Sequence, residues 1–154
     1  MAEVGFYHLT RTDLAGALAP LLGRTLQAGE RAVVVCPDAA MVAALDSKLW
    51  QSQNLDWLPH GTAATPHPEW QPVFLSAVEE NPAGARFLFL VDGAESADIG
   101  AYKRVFDLFD GNDEAAVVAA RARWAAAKAA GHVMTYWRQG EAGWEKASAS
   151  AGGT

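Results

Sequence analysis

The sequence predicts a three-layer, Rossmann-like α/β fold on a mostly parallel sheet, and three observations carry that prediction. Arg31–Pro37 (RAVVVCP) and Arg86–Val91 (RFLFLV) are near-continuous apolar runs, as expected of strands covered on both faces. Strand-like and helix-like segments alternate from the start of the chain, the order that right-handed βαβ units require. The 154 residues are 51% hydrophobic, enough to bury one sizeable core without staples.

Taken in order, Val4–Leu9 (VGFYHL) predicts a first strand. Leu14–Gln27 predicts a helix with Leu14, Leu18, Leu21, Leu22 and Leu26 on one side and Gly29 at its end. Pro20 is awkward there and predicts a kink or a start nearer to itself. After the Arg31–Pro37 strand, Asp38 is placed to cap a second helix, with Met41, Val42, Leu45 and Leu49 inward and Trp50 at its end. Asn54–His60 (NLDWLPH) reads as a short segment and Gly61–Pro72 as a loop. Val73–Val78 is a short strand, Asn81–Gly84 a turn, Ser96–Lys103 a short helix and Val105–Phe109 another strand. Val133–Arg138 (VMTYWR) reads as a last strand at the sheet edge. Residues 1–146 then form one domain, and the small, polar stretch 147–154 a disordered tail.

The most distinctive segment is Asp110–Arg138. Asn112 or Asp113 can cap a helix there, Asp113 and Glu114 put negative charge at the positive end of its dipole, and Gly131 closes it. Helical spacing sets Val117, Arg121, Trp124 and Lys128 on one stripe, with Arg123 pointing away. Between Ala115 and Arg138 there are four cations and no carboxylate, in a chain of formal charge −6. A basic, aromatic stripe on an acidic protein fits an anion that also buries something apolar. The same residues could instead lay cation stems over an indole at the edge of the core.

Charge and composition exclude several classes. Residues 1–100 carry 12 acids and 5 bases, whereas residues 101–154 carry 6 and 7. Such a chain is poorly suited to wrapping duplex nucleic acid, which demands many phosphate contacts. No apolar run approaches the ~20 residues of a membrane span. A single cysteine allows no internal disulfide, and the expected location is cytoplasmic.

The parts of a catalytic or nucleotide site are missing. Leu9-Thr10-Arg11-Thr12 follows the first strand where a dinucleotide fold needs glycines. Phe87–Asp92 resembles the strand-plus-aspartate of a nucleotide hydrolase, but no phosphate loop accompanies it. Cys36 ends a strand without a base beside it, and reads as a small buried residue. His8, His60, His67 and His132 lack metal-ligand spacing. The expectation is a binding protein with no cofactor and no metal.

Taken together, FYHL (Phe6–Leu9), AALDSKLW (Ala43–Trp50), WLPH (Trp57–His60), FDLFDG (Phe106–Gly111) and the Ala120–Gly131 pattern AR-x-RW-x-x-x-K-x-AG carry a family likeness. In that order and spacing they resemble the chi subunit of bacterial DNA polymerase III, a clamp-loader accessory protein. The resemblance implies a non-catalytic Rossmann-like domain with two binding tasks. One is the psi subunit of the clamp loader; the other is the acidic C-terminal peptide of single-stranded DNA-binding protein, which ends in phenylalanine and a free carboxylate. Nucleic acid is then met only indirectly. Carried onto this sequence, the peptide site falls on Phe109, Arg121 and Trp124, with Val117, Arg123 and Lys128 around them, Trp124 standing where the family often has tyrosine. The psi-facing surface falls on Trp50, Trp57, Leu58, Pro59 and His60. Two other readings compete: a small-molecule enzyme on a Rossmann-like scaffold, and direct binding of single-stranded nucleic acid through Arg121, Trp124, Tyr136 and Trp137.

Overall fold

A computed structural model describes residues 2–51, 61–62, 72–81, 84–96, 98–141 and 143–149. The strands are β1 (Glu3–Leu9), β2 (Ala32–Val35), β3 (Gly61–Thr62), β4 (Val73–Ser76), β5 (Phe87–Val91), β6 (Arg104–Asp110), β7 (Val133–Gly140) and β8 (Gly143–Ala149). The helices are α1 (Leu14–Gln27), α2 (Ala39–Gln51) and α3 (Glu114–Ala129). One sheet of eight strands runs in the order β3-β4-β2-β5-β6-β1-β7-β8. Every neighbouring pair is parallel except β7 and β8.

The fold is Rossmann-like, as the sequence predicts, and the chain leaves two adjacent inner strands in opposite directions. From β1 it crosses through α1 to β2; from adjacent β6 it crosses through α3 to β7. Right-handed crossovers of opposite sense put their helices on opposite faces of the sheet. Accordingly Leu18, Leu22 and Leu45 pack with Val34, Leu75, Phe89 and Leu108 on one face. Ala120, Trp124 and Ala127 pack with Val4, Phe6, Val105 and Met134 on the other. At the core's centre Phe89 stacks on Phe106, ring centroids 4.2 Å apart.

Caps fix the helices where the sequence places them. The Asp13 carboxylate accepts the Gly16 amide at 2.8 Å and starts α1, so Pro20 lies inside the helix rather than near its beginning. Its missing N–H forfeits one hydrogen bond within the helix. Asp38 accepts the Met41 amide at 2.8 Å ahead of α2. Asp113 caps α3 through the amides of Ala115 and Ala116, and Gly131, at φ +89°, reverses the chain after it.

Several expectations are corrected. Gly61–Thr62, read as loop, is the short strand β3 beside β4. The helix expected over Ser96–Lys103 shrinks to one 3-10 turn, Ile99–Ala101, because the Lys103 amide is drawn onto the Arg86 carbonyl at 2.8 Å and the chain enters β6. β7 is not the edge. Gly140 pairs with Gly143 of antiparallel β8, which runs on through Ala147–Ala149, residues assigned to the tail. Trp144 anchors this strand edge-on against Tyr7, centroids 5.1 Å apart.

Candidate functional site

The register of three strands builds the floor under α3. Phe109 of β6, His8 of β1 and Arg138 of β7 stand side by side in one row. The next row is Asp107, Phe6 and Tyr136, and the next Val105, Val4 and Met134. Strand alternation turns all three rows toward α3, which contributes Ala120, Trp124 and Ala127 as its buried line. At about 100° per residue, Arg121 and Arg123 then emerge on opposite flanks of that line.

Arg121 is exposed on the flank that overlooks β7. With exposed Arg138 it acts electrostatically on both His8 and Tyr136, so the two guanidinium groups converge on this pair. His8 Nδ1 lies 2.7 Å from the Tyr136 hydroxyl. Burial raises the Tyr136 phenol above its ordinary value despite the two arginines, so it keeps its proton; with the ring hydrogen on Nε2, the nitrogen that lies against Gly111, Nδ1 accepts from this hydroxyl. Burial, then Arg138 and Arg121, press the His8 pKa below its ordinary value, while the Gly111 hydrogen bond and Asp110 act the other way. Gly111 is needed here: a Cβ on it would lie 2.0 Å from His8 Cδ2 and 2.8 Å from the Leu9 carbonyl oxygen.

Trp124 and Phe109 lie beneath these groups as floor. Trp124 is 8% exposed and packs edge-on against Phe6 at 5.4 Å and Tyr136 at 5.7 Å. Its indole N–H is buried, with no hydrogen-bond partner among the described residues. Phe109 is buried between His8, 5.2 Å away, and Tyr136, 6.2 Å away. Val117 is half-buried at the same edge, and Lys128 is exposed one turn beyond Trp124.

Arg123 does not join this flank. Its Nε and Nη2 donate to the two oxygens of Asp107 at 2.7 and 3.0 Å, and its side chain is 12% exposed. The carboxylate it holds is 3% exposed. Arg123 instead borders a separate groove of about 580 Å³ between α3 and the Glu95–Gly100 segment. Arg123, expected beside Arg121 in one peptide site, thus stands apart from it on the opposite flank of α3. Buried charges demand a partner, and Asp107 has taken this one. Of the other expected surface, Trp57, Leu58, Pro59 and His60 lie outside the described residues, as does the side chain of Trp50.

A family model described as "DNA polymerase III chi subunit, HolC" matches residues 1–135. The chain belongs to the DNA polymerase III chi subunit family. It is also 23% identical over 109 residues to a probable DNA polymerase III subunit chi of Rickettsia prowazekii (strain Madrid E), across 71% of this chain and 66% of that relative. The chain thus spans just under two thirds of the relative's length.

In this chi-family chain the crevice where a Rossmann-like fold would take a nucleotide is chemically unsuited to phosphate. Connections leave β1 and β6 in opposite directions, so the switch point lies at their carboxyl ends. The cavity there, about 450 Å³, is lined by Asp13, Asp92 and Asp110, against a single lysine, Lys48, that is paired with Asp13 at 3.2 Å. Burial, and then repulsion from Asp110 and the neighbouring carboxylates, raises the Asp92 pKa. Cys36 is 1% exposed, with its thiol pushed up to about 12 by burial. No group of three metal-ligating side chains occurs among the described residues, and none of their helices is long and apolar enough to cross a membrane.

Sequence reasoning passed over His8 and Arg138 as peptide-site residues of the chi-family chain and named Tyr136 only for the competing nucleic-acid reading. The signal for the β7 pair was present in the alternation Met134, Tyr136, Arg138, which a right-handed crossover through α3 brings beneath that helix. His8 needed the parallel register of β1, a pairing across about 130 residues that no local pattern encodes.

Proposed function

We propose that the α3–β7 face of this chain holds the acidic C-terminal peptide of single-stranded DNA-binding protein, and that a second surface docks the psi subunit of the clamp loader. The chain is then a cytoplasmic, non-catalytic bridge that needs no cofactor and meets nucleic acid only through its partner. The observation that carries the peptide assignment is the convergence of Arg121 and Arg138 on the Tyr136–His8 pair, above an aromatic floor of Trp124, Phe109 and Phe6. A terminal phenylalanine needs an apolar seat and its α-carboxylate a cation. A charge-assisted contact of the Arg121 type contributes about 1.5–3 kcal/mol. Val117 supplies apolar edge, and Lys128 long-range attraction that salt screens. The psi surface, Trp50 with Trp57–His60, rests on the family resemblance alone.

The competing readings lose support on specific residues. Single-stranded nucleic acid would stack on exposed rings, but Trp124 is buried, and Trp137 lies on the opposite face, parallel to Tyr7 at 6.3 Å. A nucleotide-dependent enzyme would meet carboxylates at the switch point.

Nuclear magnetic resonance mapping with an acidic peptide ending in phenylalanine tests the peptide site. Saturable shifts at Arg121, Tyr136 and Arg138 are expected. Shifts confined to the groove beside Arg123, or none, would refute it.

A further inference from the structure

We infer that His8 takes up a proton when a carboxylate settles between Arg121 and Arg138, and that this proton recruits the Tyr136 hydroxyl to the ligand. The inference rests on the peptide reading above and deepens it.

The geometry supplies a two-position relay. In the free protein, with the hydrogen of neutral imidazole on Nε2, the ring nitrogen that lies against Gly111, the Tyr136 hydroxyl donates to His8 Nδ1 across 2.7 Å. The Tyr136 oxygen thereby has its only hydrogen turned inward, away from any anion above it. If a proton from water lands on Nδ1, the bond reverses. Nδ1–H now donates to the Tyr136 oxygen, and the phenol hydrogen turns outward to a ligand carboxylate. No bond between heavy atoms changes, and the net uptake is one proton.

The surroundings decide when that happens. From β7, Arg138 and Tyr136 face the ring; from α3, Arg121; from the end of β6, Asp110, with Phe109 and Gly111 packed against it. Glu145 of β8 pairs in register with Arg138. In the free protein, burial and two guanidinium groups outweigh Asp110 and hold His8 neutral. A carboxylate between those guanidinium groups offsets the repulsion that opposes an imidazolium, so the bound state favours the proton. Linkage then requires the converse: acidification tightens binding as pH falls through the His8 titration.

The test is a titration of the full chain with a short acidic peptide ending in a free-acid phenylalanine, between about pH 5.5 and about pH 8. Imidazoles titrate in that span, while the solvated carboxylates of the peptide, with pKa values near 4, stay ionised. The affinity of the wild type should rise about fivefold or more toward low pH. His8→Gln should bind with nearly flat affinity. Because that substitution could disturb the packing over Gly111, the His8 imidazole resonances of the wild type are followed as well, with and without saturating peptide. A titration midpoint that moves upward with peptide supports the inference. An unmoved midpoint, or an unchanged slope in a folded His8→Gln, overturns it while leaving the peptide site standing. No peptide binding at any pH overturns both.

Discussion

Arg123 grips Asp107 through two hydrogen bonds, Nε to Oδ2 at 2.7 Å and Nη2 to Oδ1 at 3.0 Å, and so ties α3 to β6 beneath its own flank. With Ala120, Trp124 and Ala127 buried against the sheet, Arg121 lies exposed on the opposite side of α3 from this pair. Burial raises the Asp107 pKa, with Arg123 opposing that rise. Arg123→Ala would leave a buried carboxylate alone, and a loss of about 3–5 kcal/mol is expected in urea unfolding. Arg123→Met combined with Asp107→Leu should recover most of it, since neither charge then remains unpaired. A single-substitution loss below about 1 kcal/mol would show that the pair does not anchor the helix.

Arg121 is exposed and forms no ion pair among the described residues, so its removal should leave the fold intact. Arg121→Ala should weaken binding of the acidic peptide about 10- to 100-fold, the equivalent of one charge-assisted contact. Arg138→Ala should weaken it less and reduce its salt dependence. Calorimetric titration at two salt concentrations reads both effects. Equal affinities for wild type and Arg121→Ala would remove Arg121 from the site.

Trp124 carries volume and a buried N–H with no partner among the described residues. Trp124→Ala opens a cavity against Phe6 and Tyr136, and a loss of about 3–5 kcal/mol is expected. Trp124→Phe removes the unsatisfied donor, whose burial costs about 1–3 kcal/mol, and should be much better tolerated. Thermal denaturation of the two variants decides. Equal losses would mean that the indole N–H has a partner after all.

His8 and Cys36 give two solution signatures. Because the native pKa of His8 is depressed, the unfolded chain binds more protons in the window just below the ordinary histidine value. Stability therefore falls as pH drops from neutrality through that window, and His8→Gln should flatten the fall. An identical decline in the variant would assign it to other groups. The Cys36 thiol, buried and pushed up to about 12, should resist a thiol-specific reagent until the chain unfolds. Rapid labelling of native protein would contradict its burial.

What was legible in the sequence follows how locally each feature is encoded. The buried strands β2 and β5 announce themselves as apolar runs, and α3 by Asp113 at one end and Gly131 at the other. β8 escaped because Ala147–Ala149 resembles a polar tail; what holds it is the antiparallel pairing that starts at Gly140 and Gly143 and Trp144 reaching Tyr7. The stripe on α3 was readable as a pattern, but its division was not. Whether Arg121 or Arg123 stays exposed depends on a carboxylate in β6, and Asp107 carries no local mark of that role. His8, Tyr136 and Arg138 come together only through strand register.

The most direct test of the central claim is fluorescence polarisation with one acidic peptide ending in phenylalanine, prepared as the free acid and as the C-terminal amide. Convergence of Arg121 and Arg138 over an aromatic floor predicts saturable binding of the free acid, weakened by salt, and loss of most affinity on amidation. Equal binding of the two forms, or no binding of either, would contradict the assignment of the α3–β7 face to a terminal carboxylate.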